Sequence, residues 1–366
     1  MNHDDDVSLI VCSLKELRQK KGYTQLQMAE MLGIKRQAVY DIESGRYLPN
    51  TLIALRLAKV LNVAVEDIFE EKTFATKNVK LLEDAPADSR LSVVKVRSNL
   101  VGYPLKNKDI LGGISPDGLY IGDGRVRLLK NEPVIENSIA LLGCDPAFNI
   151  LSSYVSDYDT HMHYRFASSK KALESLADGL SHIAGIHMQS GDADDNLNFA
   201  RRIMKEQKFG IITFADYEEG LIVAPGNPLK INSPEDLTNP DIRFVNREPG
   251  AAVRFHLEEI LKEKNIPYSA IPGFDKCVFS HAEGAQLVEY GLADAVLGLR
   301  SVVEIYNVGF IPLSAVRCDL VIPADFWEIK PVKLLLDVLQ GKRLRLDLKS
   351  AAGYNADNTG RLIAEP

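Results

Sequence analysis

The chain has 366 residues, more than one ordinary core holds, and a prior of ~100 to 200 residues per domain points to two or three domains. Its composition, 46% hydrophobic and 25% charged, is that of a globular protein. No apolar run approaches the ~18 residues of a membrane span, and the acidic start MNHDDDVS lacks the basic character of a signal peptide, so a cytoplasmic protein without a membrane partner is expected.

The formal charge of -7 would speak against nucleic acid if it were uniform. Instead Lys15, Arg18, Lys20, Lys21, Lys35, Arg36 and Arg46 crowd into one N-terminal stretch, so charge is segregated by domain. Val11, Leu14 and Leu17 recur at helical spacing, and Gly22 stops that first helix. Thr24 then caps a second helix with Leu26, Met28, Ala29 and Leu32 facing inward, and Gly33 permits the turn. A third helix follows over Lys35 to Glu43, with Ala38, Val39 and Ile42 inward.

That register leaves Lys35, Arg36, Gln37, Tyr40 and Asp41 outward near the start of the third helix, where long donors suit the edges of the DNA major groove. Gln25 and Arg46 are placed to hold phosphates. Leu52, Leu55, Leu57, Ala58, Val60 and Leu61 supply the closing core helices, which end at Val65 to Phe69. Over residues 8 to 72 the run TQLQMAEMLGIKRQAVYDIESGRYLPNTLIALRLAKVLNVAVEDIF resembles the Cro/C1-type (XRE-family) helix-turn-helix regulators. The resemblance implies double-stranded operator DNA as partner and a homodimer on an inverted repeat.

From Thr73 to Asn137 the pattern changes to short alternating runs broken by glycine: Leu91 to Arg97, Leu100 to Leu105, Gly118 to Gly122 and Gly124 to Leu129. They predict a small β-rich connector, a mini-domain preceded by a flexible joint at Glu83 to Asp88, whose plainest role is spacing.

Beyond Asn137 strands and helices alternate, which implies a largely parallel sheet with ligands at the carboxyl ends of its strands. Gly143-Cys144-Asp145-Pro146 joins a buried strand to a helix start, and Ser168-Ser169 does the same one unit later; such ends offer free N–H groups to an anion. Asn246, Arg247, Gly250 and Ala251 form a third junction, and Ser280 with His281 a fourth. His187 at a strand end and Tyr217 complete the candidate ligand set.

The G-C-D-P-A, G-L-I-V-A-P-G-N-P-L, R-F-V-N-R-E-P-G-A-A-V-R and G-L-A-D-A-V-L-G runs, within Ser138 to Gly360, resemble the type 2 periplasmic-binding-protein fold in the cytoplasmic form that is fused to helix-turn-helix regulators and to some molybdenum-cofactor enzymes. The resemblance implies two α/β lobes closing on a small ligand, lobe I over 138–220 and 305–366 and lobe II over 221–304, with crossings near Phe214 to Leu221 and Leu299 to Phe310. The fold expected is an all-α head over 1–72, the β-rich connector over 73–137 and the two-lobed domain over 138–366.

Relatives of this kind sense molybdate or tungstate, held by hydroxyls and N–H groups. Here Ala251-Ala252-Val253 stand where related sequences often carry Ser or Thr, and a buried dianion needs a dense donor shell. Arg247 and His281 could instead grip the carboxylate or sulfonate of a small organic anion, so the effector expected is molybdate, tungstate or such an anion. No other cofactor is expected.

Two other classes were weighed. A molybdenum-cofactor-type enzyme would use the same cleft, but the enzymatic module of such fusions is missing; a ligand-free protein-interaction scaffold is the third reading. His161 and His163, with Asp157, Asp159 and His187 near in sequence, lack a metal-ligand spacing and read as surface or packing residues. The four cysteines are far apart without C-x-x-C spacing and read as reduced thiols; Cys144 has no His or Asn partner at a family-like spacing, so a nucleophilic role is not expected of it. Asp145 reads as an N-cap or as a ligand contact. No catalytic residue is assigned.

Overall fold

A computed structural model describes residues 8–73, 75–106, 113–158, 160–188 and 195–366. The chain divides into two compact units, Met1–Lys77 with Arg125–Leu129, and Asn78–Gly124 with Lys130–Pro366.

The first unit is helical. Strand β1 (Ser8–Cys12) is followed by α1 (Leu14–Lys20), α2 (Gln25–Leu32), α3 (Arg36–Glu43), α4 (Thr51–Leu61) and α5 (Val65–Ile68), and β2 (Phe69–Thr73) returns antiparallel to β1. Val11 therefore lies in a strand and not in the first helix: Cys12 pairs with Phe69, and Ser13 begins the helix. Leu14, Met28, Leu32, Val39, Ile42, Leu57, Leu61 and Ile68 form the core. Each such side chain contributes about 1.5–3 kcal/mol by leaving water.

Thr24 caps α2 as its spacing predicts. Its Oγ1 accepts the Gln27 N–H at 3.2 Å while Gln27 Oε1 accepts the Thr24 N–H at 2.9 Å. Gly33 ends α2 at φ 70°, a left-handed conformation that a Cβ would oppose. Leu26, Leu52 and Leu55, expected inward, are exposed instead. They lie one position off the buried stripe of their helices, whose inward places are taken by Met28, Ala29, Leu57 and Ala58.

The second unit contains a ten-stranded sheet. After β3 (Thr76–Asn78), β4 (Lys80–Leu81), β5 (Arg90–Val96), β6 (Asn99–Pro104), β7 (Gly118–Gly122), β8 (Arg125–Leu128) and α6 (Glu132–Glu136), the chain enters β9 (Ser138–Gly143), α7 (Phe148–Ser156), β10 (His161–Phe166), α8 (Ser169–Ala177), β11 (Ile183–His187) and α9 (Asp195–Met204). It continues through β12 (Phe209–Val223), β13 (Phe244–Arg247), α10 (Ala252–Glu263), β14 (Cys277–Val278), α11 (His281–Glu289), β15 (Ala295–Leu299), α12 (Arg300–Val303) and β16 (Gly309–Pro323). It closes with α13 (Lys330–Gln340), α14 (Lys342–Ser350), β17 (Tyr354–Asn355) and β18 (Leu362–Ala364).

The order is β10-β9-β11-β16-β12-β15-β13-β14, with β17 and β18 also pairing β12. Strands β9, β10 and β11 are parallel and form one lobe, and β13, β14 and β15 are parallel and form the other. The second lobe has its own core, including Leu221, Ile242, Phe244, Val253, Leu257 and Leu297.

Two strands of 15 residues each, β12 and β16, run antiparallel through both lobes. The first crossing lies where the sequence placed it, but the second lies on β16 itself. Within Leu299 to Phe310 the chain instead forms helix α12 and the start of β16. The pairing shifts register between Glu219 and Gly220, and a Cβ at Gly220 would meet the Ile311 carbonyl at 2.1 Å, so glycine is required at that close approach.

The expected mini-domain of 73–137 does not stand alone. Its strands β7, β5, β6 and β4 form a sheet in that order, but Val94, Val96, Val101 and Tyr103 belong to the main core of the second unit. Tyr103 donates its hydroxyl to the Leu180 carbonyl at 2.6 Å, and Arg165 reaches Ser92 at 2.8 Å. Arg125–Leu129 clusters with the first unit. Four short strands bury one face only against another layer.

Candidate functional site

Two sites must be built, one in each unit. In the first, α3 begins at Lys35, whose extended backbone (φ -75°, ψ 146°) turns the chain into the helix. Lys35, Arg36, Gln37 and Tyr40 are exposed there, and Asp41 is half-buried. Gln37 donates its amide to Asp41 at 3.0 Å, and the Arg46 guanidinium lies 5.4 Å from the Tyr40 ring centroid. Tyr40 and Arg46 thus support each other at one end of the helix, while the cationic Lys35 and Arg36 occupy the other.

Gln25 differs from the expectation. It is half-buried and donates to Glu43 Oε2 at 2.9 Å, on the same carboxylate that Arg18 grips. Its side chain locks α2 to α3.

In the second unit, the cleft between the lobes is nearly closed. Cys144, Phe166, Ser168, His187 and Glu219 meet Arg247, Glu248, Ala251, Ala252, Val253 and His281 around about 10 Å³ of free space, the room of one water at most. The carboxyl ends of β9, β11 and β13 bring Cys144, His187 and Arg247 together, as a parallel sheet should. Ser168 caps α8, accepting the Lys171 N–H at 3.4 Å.

Arg247 is 1% exposed and fully engaged. Its Nε donates to Glu248 Oε2 at 2.9 Å and its Nη2 to Glu248 Oε1 at 3.1 Å, a bidentate grip; Nη1 lies 2.8 Å from His281 Nδ1. Burial above all, then the Arg247 charge, hold His281 well below the ordinary imidazole range, so it faces the guanidinium as a neutral ring.

On the opposite wall, His187 Nδ1 lies 3.4 Å from Cys144 Sγ and Nε2 lies 3.0 Å from Glu219 Oε1. Burial alone would depress this histidine, but Cys144 and Glu219 outweigh it and hold the pKa well above the ordinary value. His187 lies between the Cys144 sulfur and the Glu219 carboxylate, and both favour its protonated form. Ser169 fixes its backbone, accepting the His187 N–H and donating to its carbonyl, both at 3.1 Å.

Of the other predicted residues, Cys144, Ser168, His187, Arg247, Ala251 and His281 line this cleft, and Ser169, Asp145, Tyr217, Asn246, Gly250 and Ser280 do not. Asp145 is buried, accepts the Ala147 N–H at 2.9 Å and the Tyr354 hydroxyl, and is pushed up to about 6 by burial; it organises the turn ahead of α7. Asn246 is buried too and bonds the Phe274 carbonyl and the Arg247 N–H. Gly250 takes φ +91° in the turn before α10, and Ser280 caps α11 by accepting the Glu283 N–H at 3.1 Å.

Tyr217 packs edge-on against His187 at 5.5 Å and lines a separate groove of about 780 Å³ with Arg300, Arg317 and Tyr354. Glu219 and Glu248, which matter most to the cleft's charge, were not among the ligand residues expected from the sequence, nor was Phe166; Ala252 and Val253, noted there only for the hydroxyls they lack, line the cleft as well. Their signal was available: Glu219 immediately precedes the crossing glycine, and Glu248 lies inside the R-E-P-G junction.

His163 lies 3.3 Å from Asp117 and is lowered to about 4 by burial; His161 is exposed, Asp157 faces Arg343, and Asp159 lies outside the described residues. Among the described residues no three His, Cys, Asp or Glu side chains gather to hold a metal ion. In those same residues no helix is long and apolar enough to cross a membrane.

A helical DNA-reading head and a two-lobed cleft domain define a regulator class, and the comparisons agree. Residues 14–68 match the helix-turn-helix family and residues 153–340, just over half of the chain, match the PBP superfamily domain. The chain belongs to the PBP superfamily, and its N-terminus is an XRE-type helix-turn-helix domain.

YvgK of Bacillus subtilis (strain 168) is 24% identical over 95% of this chain and 100% of its own. The helix-turn-helix regulator YgzD of the same organism is 43% identical over 15% of this chain and 85% of its own. Among solved structures, the regulatory domain of CcmR from Synechocystis PCC6803, in complex with 2-PG, has a TM-score of 0.43 at 12% identity, covering 55% of this chain and 94% of that one.

Proposed function

We propose that the protein is a one-component transcription regulator whose operator affinity is set by a small anion bound between the lobes. One observation carries this reading: the buried Arg247 guanidinium in the closed cleft already holds a carboxylate, that of Glu248, in bidentate geometry. A ligand carboxylate or sulfonate takes that place when the lobes part and Glu248 swings away.

The charge pattern supports a monoanion over molybdate or tungstate. Arg247 is matched by Glu248 and His187 by Glu219, so displacing one carboxylate leaves room for one negative charge. The missing hydroxyls at Ala251 and Ala252 weigh in the same direction.

At the other end Arg36 and Gln37 read bases, while Lys35, Arg46 and the first turn of α2 hold phosphates. The exposed Leu48, Leu52 and Leu55 supply an apolar surface for a second copy, so the working species is a homodimer on an inverted repeat.

The test begins with a thermal-shift screen of oxyanions, sulfonates and small carboxylates, because binding raises apparent stability by mass action. Hits are then added to the protein on an operator selected from random DNA, with affinity read by fluorescence anisotropy. Linkage requires the operator to change ligand affinity by the same factor. A ligand that stabilises the protein and leaves operator affinity unchanged would sink the proposal.

A further inference from the structure

The cleft contains a second feature that anion binding does not use. A thiol, an imidazole and a carboxylate lie in line: Cys144 Sγ is 3.4 Å from His187 Nδ1, and His187 Nε2 is 3.0 Å from Glu219 Oε1. This is the connectivity of a nucleophile, its proton carrier and an orienting group. Glu219 is 1% and His187 3% exposed, whereas Cys144 is only partly covered and lines the cleft. The sequence hid the arrangement because its partners come from three different strands.

Structure alone does not require the pair. A buried histidine held by a carboxylate at one ring nitrogen could face a carbonyl with the other. Here it faces the one thiol of the cleft wall, opposite Arg247. An anionic ligand on Arg247 is thereby set between a carboxylate clamp and a sulfur whose proton has an acceptor.

Resting on the reading of the cleft as the effector site, we propose that Cys144 adds reversibly to the carbonyl carbon of a small 2-oxo carboxylate, with Arg247 holding the carboxylate in place of Glu248. The proton shared by Cys144 Sγ and His187 Nδ1 stays on the ring as a sulfur lone pair forms the C–S bond and the carbonyl π pair moves to oxygen, and that oxygen then takes the proton from Nδ1. Nothing leaves, no oxidant or reductant is needed, and the reverse path restores thiol and ketone. Cys144 is the nucleophile, His187 moves the proton, and Glu219 is a positioning residue that fixes the ring. The effector class becomes specific: the cleft discriminates an electrophilic carboxylate from an inert one of equal charge.

The groups around the sulfur are His187 and Glu219, Asp145 in its own turn, Tyr164 on β10 and Cys318 on β16. Arg247, Glu248 and His281 face it from the other lobe.

The experiment uses the full chain and [2-13C]pyruvate as probe. Carbon NMR should show the ketone signal converted to a tetrahedral carbon on wild-type protein, absent in Cys144→Ser and reduced at least about tenfold in Glu219→Gln. In parallel, alkylation of Cys144 by iodoacetamide, located by peptide mass, is followed with and without pyruvate. Pyruvate should protect wild-type Cys144 at least about tenfold and leave Cys277 unprotected. Circular dichroism establishes that each variant folds, and the Cys144→Ser comparison stands even if Glu219→Gln does not.

No protein-dependent tetrahedral signal at saturating pyruvate, or no protection of Cys144 from alkylation, overturns the proposal. Pyruvate stabilising wild type and Cys144→Ser equally, without an adduct, overturns the covalent step and leaves the anion cleft standing. If no anion in the screen shifts the protein at all, the effector reading itself falls.

Discussion

The two functional surfaces present their side chains in opposite ways. On the helical unit Lys35, Arg36 and Gln37 project into solvent near the start of one helix, with little between them and a partner. In the cleft every charged group is already matched within the protein, Arg247 by Glu248 and His187 by Glu219. A DNA reader exchanges water and counterions for phosphates and bases, so its groups can wait in water. A buried site cannot leave a charge uncompensated, so it carries internal stand-ins that a ligand must displace. One surface is ready to bind, whereas the other is selective because it must first be unmade.

The largest test of this contrast is Arg247→Ala. Removing one partner of a buried pair leaves Glu248 uncompensated, so the cleft domain should lose about 3 kcal/mol as well as its anion response. Urea unfolding followed through Trp327, the chain's single tryptophan and a member of the second unit, measures the first, and calorimetry the second. A stable variant with unchanged anion affinity would show that Arg247 is not at the ligand's end.

Acid should separate the units next. His163 and His182 are lowered to about 4 by burial, from 6.5. Their folded forms bind fewer protons than the unfolded chain in that window, so the stability they contribute is complete above about pH 6.5 and is lost as pH falls toward 4. His187 has the opposite sign: its contribution is complete below 6.5 and fades as pH rises through its elevated pKa. Thermal unfolding watched at Trp327 should therefore fall in temperature between pH 6.5 and 4. Asp145, raised to about 6, gains stability over the same window but offsets less than the two histidines lose together, so a flat profile would contradict their burial in the neutral form.

The smallest effect belongs to the exposed surface. Arg36→Ala should cost ~1 to 3 kcal/mol at one operator position and nothing in fold stability. Equal losses on operator and random DNA, measured by anisotropy, would reassign Arg36 to phosphate contact.

Legibility followed the same division. The helical unit could be read because its signals are local: Thr24 caps with Gln27 three residues away, and Gly33 ends the helix it follows. Errors there were of phase, as at Leu26, Leu52 and Leu55, where an apolar residue one place off the stripe looks like core. The βα junctions of the cleft domain were also visible as strand ends followed by caps. The pairings were not. Cys144 meets His187 across 43 residues and Arg247 meets His281 across 34, and no short window records which acid faces which base. Glu219, beside a glycine, looks like a solvated turn until β12 and β16 are paired.

The same residue leads to a mechanical consequence. Because β12 and β16 pass unbroken through both lobes, the lobes are not two plates on a hinge pin but the ends of one twisted ribbon. Such a ribbon yields by torsion where its pairing slips, and one of the two slips in β12 falls between Glu219 and Gly220. The group that steadies His187 thus sits beside one of those slips. A twist of the ribbon there would move the lobe tips far more than it moves the His187–Glu219 contact.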